Sequence, residues 1–372
     1  MPNEPIVFDD DPTHKRRTED AIIAWTWYKF LLEPSSDPIR LVRFPMVKAG
    51  FQALRALEEF AAQQFQVTVD QFGVAGASKR GWVTWLMGAV SPPGRVICIM
   101  PLVLDVLNLD AVLHHQFRSY GGWTWAFADY LALNVTAFMD TPAFLAMRQQ
   151  IDPIMPQYAS RLTMPKFVVV SSDDEFMQLD DSNYWWGQLP GETNLMIAVN
   201  SEHSLITAIP EVVPSLIAFY DSVRKNGTRP RMTWEKDDAT GTITLRVYSR
   251  PLPGQVTVRQ AQTLSSTMRD FRWIIQPAEC LPPNFMVGGR CVQPILWFED
   301  VMTTNSTTFP LVYTAQYSPP QFGGWQAFFF DVAFPSDTGL KVNYRMTSQA
   351  VVVPDTFPFP DCHEQSCTGH IV

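Results

Sequence analysis

The chain has 372 residues, 46% of them hydrophobic and 17% charged, with a formal net charge of −9. This balance excludes a disordered chain, and the negative charge argues against a nucleic-acid partner held through its phosphates. No run of about 20 apolar residues is present, so no membrane span is expected, and Met1-Pro2-Asn3-Glu4 does not open a signal peptide.

Taken in chain order, helical periodicity predicts a first helix over 18–32 and a second over 46–64, MVKAGFQALRALEEFAAQQ. The basic run His14-Lys15-Arg16-Arg17 runs into Glu19 and Asp20 and reads as a solvated helix start. Strands are expected at 71–75, 95–101, 166–172 and 195–200, and because they alternate little they read as buried on both faces. Helices fall between and after them at 79–90 and 204–225, with a Trp- and Phe-rich helical stretch over 109–150. Helix and strand taking turns in this way predicts a parallel α/β sheet. Beyond Asn226-Gly227 the pattern changes. Trp234 leads into a hairpin, Asp238-Ala239-Thr240-Gly241 turns it, and Ile243, Leu245 and Val247 alternate on the way out. VTVRQA, FRWIIQ, QPILWFED, LVYTAQY and WQAFFFDVAF follow, separated by Pro and Gly, and predict an antiparallel β-sandwich. The domain reading is therefore 1–226 as an α/β part, with a cap over about 109–150, and 227–372 as the sandwich.

The stretch QFGVAGASKRG puts Ser78 where the first firm strand meets a helix. A sharp strand-to-helix turn between small residues forces such a serine outward at the carboxyl end of the sheet, as in the nucleophile elbow of α/β-hydrolases. Here Arg80 stands where the second glycine is usual, and Gly81 follows one place later. The backbone N–H of Lys79 would face the developing oxyanion at the helix N-terminus, and the competing reading of Ser78 is a plain helix cap. A nucleophilic serine needs an imidazole and a carboxylate, in the chain order Ser, acid, His. KFVVVSS is followed by Asp173, Asp174 and Glu175, and LMIAVN by Ser201-Glu202-His203. The candidate triad is Ser78, Asp174 and His203, with Asp180 as the alternative acid in the same loop. This chemistry needs no cofactor and no metal. Tyr120, Trp123 and Trp125 in YGGWTWAFADY are candidates for a pocket wall that excludes water. His114-His115 has no further histidine or carboxylate at a ligand spacing in sequence and reads as structural.

Of five cysteines, Cys98 lies in the apolar run VICIM, and Cys280, Cys291, Cys362 and Cys367 cluster late. Four cysteines allow three pairings; the local pairs 280–291 and 362–367 are preferred. The alternative is a zinc set of Cys362, His363, Cys367 and His370, at a spacing unlike the common fingers. Sequons at Asn134, Asn226 and Asn305 join the cysteines in pointing to an oxidising compartment.

GASKRGW, IMPLVLDVLN, HHQFRSYGGWTWAFADY, DDEFMQLDDS, LPGE, EHSL and RDFRW, with the terminal PFPDC and CTG, resemble the PhoPQ-activated pathogenicity-related family. That family includes proteins named autocrine proliferation repressors. The resemblance runs from Pro5 nearly to the end, and it implies a secreted protein of α/β-hydrolase-like fold with Ser78, Asp174 and His203 at the catalytic positions. This chain has Asp173 where the family tends to glycine, and Leu179 where it tends to proline. Ahead of Ser78 there is one firm strand and the weak PIVF, and no H-G-G-like loop. An N-terminally incomplete hydrolase sheet with an uncovered edge is therefore expected. The leading functional reading is a secreted serine hydrolase acting on a small-molecule or peptide ester, thioester or amide. The alternative is a non-catalytic signalling protein on the same scaffold, with a cell-surface receptor as partner.

Overall fold

The computed structural model describes residues 5–104, 107–336, 339 and 341–372. Helices α1 (Glu19–Leu32) and α2 (Arg43–Phe65) precede strand β1 (Phe72–Ala77), helix α3 (Lys79–Val90) and strand β2 (Val96–Leu102). Then come α4 (Leu109–Tyr120), α5 (Ala128–Leu131), α6 (Pro142–Ile151), α7 (Pro156–Ala159), β3 (Lys166–Ser171), β4 (Thr193–Ala198) and α8 (Ile209–Arg224). The four strands pair in parallel, in the order β1-β2-β3-β4. Successive side chains of a strand point to opposite faces, and both faces are apolar here. Val168, Val170, Leu195 and Ile197 join the core shared with α1, α2 and α3. Phe167, Val169, Met196 and Ala198 join a second core beneath α8. That is why these strands read as continuous apolar runs.

The Trp- and Phe-rich stretch is three helices rather than one. Gly121-Gly122 ends α4, and α6 starts afresh, with Pro142 in its first turn and the Thr141 hydroxyl accepting from Phe144 N–H. β1 is an edge strand: among the described residues no strand pairs with its outer side, and Ala75 and Ala77 are exposed. PIVF contributes only a single bridge, from Ile6 to Arg17.

The later strands are β5 (Met232–Asp237), β6 (Thr242–Val247), β7 (Val256–Gln262), β8 (Ile274–Ile275), β9 (Phe285–Val287) and β10 (Arg290–Val292). They continue with β11 (Phe298–Val301), β12 (Leu311–Gln316), β13 (Gln326–Pro335), β14 (Asn343–Thr347) and β15 (Val351–Val353). One sheet runs β12-β6-β5, a larger one runs β11-β7-β13-β14 with β15 also on β13, and β8-β10-β9 form a small third. Ile243, Leu245 and Val247 of β6 meet Val258, Phe328 and Phe330 of the larger sheet in one core. The opposite face of β13, through Ala327 and Phe329, enters the core of α1–α3. Apolar packing is therefore continuous across residues 226–231. Two expected strands shrink because their residues are used elsewhere. In FRWIIQ, Arg272 turns inward to Asp270, and the Trp273 amide donates to the Asp173 carbonyl. In QPILWFED, the Trp297 indole donates to Asp173.

Candidate active site

Ser78 links β1 to α3 with φ 55° and ψ −129°, a conformation that costs a non-glycine residue roughly 1–3 kcal/mol. Its amide donates to the Leu102 carbonyl at 2.9 Å, and its carbonyl accepts from Trp82 N–H at 3.2 Å. The two flanking glycines explain themselves. A Cβ at Gly76 would lie 2.6 Å from the Arg80 carbonyl oxygen, and one at Gly81 would lie 3.0 Å from both the Leu102 carbonyl oxygen and Leu104 Cβ. The displaced second glycine thus serves the close approach of α3 to β2.

Asp174 follows β3 and His203 follows β4, so both sit beyond the carboxyl ends of parallel strands, as Ser78 does. His203 Nε2 lies 2.8 Å from Ser78 Oγ, and Nδ1 lies 2.9 Å from each Asp174 carboxylate oxygen. With the ring neutral, Nδ1–H donates to Asp174 and Nε2 accepts from the Ser78 hydroxyl. Asp174 is fixed in turn by amides donated from Phe176 (2.7 Å) and Met177 (3.2 Å). The Phe176 ring lies 4.4 Å from the imidazole. Burial opposes a charge on His203, but attraction and hydrogen bonding from Asp174, with Glu175 and Asp20 behind, raise its pKa from 6.5 to about 9. Glu175, which accepts from the His203 amide at 3.1 Å, is itself raised to about 7 by burial and then by Asp174.

The alternative acid is not brought to His203. Asp180 is bound by Arg269 at 2.5 and 3.3 Å, and although burial opposes its charge, Arg269 and His115 hold its pKa down at about 2. His115, wholly buried, sits in the same network: its Nδ1 faces Asp181 at 2.7 Å and its Nε2 faces Arg269 at 3.2 Å. Asp173 is a clamp. It accepts from the Ser172 hydroxyl (2.5 Å), from Ser201 N–H in the histidine loop (3.1 Å) and from the Trp297 indole (2.8 Å).

A cavity opens in front of Ser78, walled by Trp27, Trp82, Val112, Leu113, Phe127 and Phe176. The aromatics expected there are elsewhere. Trp123 is buried, donating to the Cys367 carbonyl, and Trp125 donates to the Ile274 carbonyl. Tyr120 packs under the Arg272 guanidinium and borders a small separate cavity beside Asp174. Sequence reading missed the polar part of the wall: Asp20, Arg43 and Tyr130. Arg43 is buried with its guanidinium 4.3 Å from the centroid of the Trp82 ring, and it donates to the Lys79 carbonyl at 3.2 Å. Burial lowers its pKa to about 10. The only signal in sequence was an arginine inside an apolar helix start, LVRFPM. Lys79 opens α3, where an amide has no intrahelical acceptor, and its side chain pairs with Glu19.

Cys280–Cys291 and Cys362–Cys367 are disulfide-bonded and Cys98 is a buried thiol, so the tail's cysteines are not zinc ligands. Asn134, Asn226 and Asn305 are exposed. No helix among the described residues is long and apolar enough to cross a membrane.

Among solved structures, an acetyl xylan esterase from Paenibacillus sp. R4 is 12% identical, with a TM-score of 0.34 over 46% of this chain and 50% of that one. Acetyl xylan esterase 1 from Thermoanaerobacterium sp. JW/SL YS485 is 14% identical, with a TM-score of 0.33 over 48% of this chain and 52% of that one. The chain spans about half the length of each, and scores this low add nothing to what strand order and the elbow establish about the hydrolase-like fold. Autocrine proliferation repressor protein A of Dictyostelium discoideum is 35% identical over 379 residues, taking in 99% of this chain and 72% of that protein. The sequence pattern of the PhoPQ-activated pathogenicity-related proteins matches residues 1–272. With that match and this relative, the chain belongs to the PhoPQ-activated pathogenicity-related protein family.

Proposed function

We propose that the protein is a secreted serine hydrolase that cleaves an ester, thioester or amide through an acyl-enzyme. One observation carries the reading: Ser78 Oγ at 2.8 Å from His203 Nε2, with Asp174 on the other ring nitrogen. Ser78 Oγ attacks the substrate carbonyl carbon while its proton passes to His203 Nε2. The oxyanion forms beside Lys79 N–H at the start of α3. On collapse, the leaving group takes the proton from His203, and water, deprotonated by the same nitrogen, releases the acid and restores Ser78. Asp174 holds the ring in the tautomer this requires. The aromatic and aliphatic cavity walls suit an apolar acyl group. In this reading residues 1–226 carry the chemistry and 227–372 brace the acid and histidine loops. The two disulfides and three exposed sequons suit an extracellular setting.

The test is a fluorescent fluorophosphonate. It labels the folded wild-type chain and not Ser78→Ala; folded wild-type protein that stays unlabelled defeats the hydrolase reading.

A second reading rests on the name of the Dictyostelium relative: a secreted growth-repressing signal on a hydrolase scaffold, acting through a cell-surface receptor. If Ser78→Ala loses labelling but still slows proliferation as the wild type does, signalling is independent of the serine.

A further inference from the structure

Away from Ser78, segments distant in sequence converge on a second polar cluster. His114 comes from α4, Asp140 from the turn before α6, and Asp361 and His363 from the segment carrying the Cys362–Cys367 disulfide. His114 Nδ1 lies 2.7 Å from Asp361 Oδ1, and its Nε2 lies 3.0 Å from Asp140 Oδ1. His363 Nδ1 lies 2.9 Å from Asp140 Oδ2. One ligand atom from each of His114, Asp140 and His363 can be chosen so that all lie within 4.8 Å of one another.

We propose that His114, Asp140 and His363 bind a divalent transition-metal ion, zinc by preference, with water completing the coordination. A neutral imidazole carries one N–H, yet His114 has a carboxylate against each of its nitrogens. If Nδ1–H donates to Asp361, the Nε2 lone pair faces an Asp140 oxygen across 3.0 Å, and either a second proton, which the two carboxylates favour, or a cation must join them. A cation placed between Nε2, Asp140 and His363 satisfies all three groups at once. Asp361 then holds the His114 ring from behind, the carboxylate–histidine–metal arrangement that fixes tautomer and orientation.

The donor set selects the ion. Two imidazoles and one carboxylate suit zinc, at bonds of about 2.0–2.2 Å, whereas calcium and magnesium demand more oxygens. The nearest soft donor, Cys362, is tied up in its disulfide. Tetrahedral ligands on bonds of that length stand roughly 3.3 Å apart; the imidazole nitrogens lie 3.0 and 2.9 Å from the two Asp140 oxygens, and the three ligand atoms lie within 4.8 Å of one another, so binding takes a small side-chain adjustment. The His363 side chain, 72% exposed, is free to make that adjustment. The ion would clip the C-terminal segment to α4, whose Val112 and Leu113 wall the cavity in front of Ser78. The proposal stands independently of any activity at Ser78.

The experiment uses tag-free, disulfide-intact protein, stripped with a chelator and kept without reductant. Zinc chloride is titrated by calorimetry, and cobalt(II) is followed by its visible absorption. One equivalent of zinc is expected, with a cobalt spectrum of tetrahedral nitrogen–oxygen type and a higher melting midpoint for the loaded wild type. Asp361→Asn weakens zinc binding about 10- to 100-fold, and Asp140→Asn or His363→Ala weakens it further and abolishes the thermal shift. His363 is exposed, so its variant folds without the ion. Absence of saturable binding, one equivalent retained in both His363→Ala and Asp140→Asn, or binding that appears only once the disulfide is reduced each overturns the proposal.

Discussion

Asp174 and Asp180 lie in one loop, and their substitution separates two jobs. Asp174→Asn leaves the fold in place but favours the wrong imidazole tautomer, so the rate of reaction at Ser78 falls about 10⁴-fold. Asp180→Asn leaves the buried Arg269 without its carboxylate, which costs about 3–5 kcal/mol, while the folded fraction still reacts at a near wild-type rate. Urea unfolding and fluorophosphonate labelling rates, measured on both variants, check this. The pH profile follows from His203. The base must be neutral to take the serine proton, and its pKa is raised to about 9, so labelling accelerates with pH through a midpoint well above 6.5. Glu175→Gln removes one of the charges that hold the proton and moves the midpoint down. The same proton stabilises the fold: its contribution is whole below about 6.5 and fades as pH rises through about 9. The proposed triad of Ser78, Asp174 and His203 could be read from the sequence because each residue type stands just past a strand end in the required order, and the three side chains meet in the structure. The choice between the two acids was not legible from the loop itself, because it is made by Arg269, which arrives from the β-rich region. Asp20, Trp27 and Arg43 were missed for a related reason. Periodicity tells which helix face is buried, not what it is buried against.

At the scale of elements, the elbow depends on two backbones nearly touching. Gly76→Ala places a Cβ 2.6 Å from the Arg80 carbonyl oxygen, and a backbone atom cannot yield as a flexible side chain would. The expected cost is about 1–3 kcal/mol, accompanied by slower labelling as α3 shifts away from β1 and carries the Lys79 amide with it. A urea midpoint and a labelling rate both equal to wild type would contradict this. The parallel strands were readable because burial on both faces leaves a continuous apolar signature. The single helix expected over 109–150 failed because the Gly121-Gly122 break and the Thr141-Pro142 start were outweighed by helical composition. β8 and β11 came out short because Arg272 and Trp297 are engaged in tertiary contacts that no local pattern reveals.

Across the whole molecule, the sandwich reaches into the site through several hydrogen bonds, among them the one from the Trp297 indole to Asp173, while Asp173 also holds the histidine loop at Ser201. Trp297→Phe strips a donor from Asp173, whose carboxyl burial pushes well above the usual carboxylate range, so it costs about 1–3 kcal/mol and slows labelling, although Trp297 belongs to neither the proposed triad nor the cavity wall. In an Asp173→Gly background the same substitution loses most of its effect. The coupling is read from urea unfolding and labelling of the two single variants and the double variant. The two residues act as one unit. A glycine at position 173 would give the indole nothing to bind, and an aspartate there without the indole would be short of a donor in a dry interior. Positions 173 and 297, far apart along the chain, therefore tolerate change together better than either does alone.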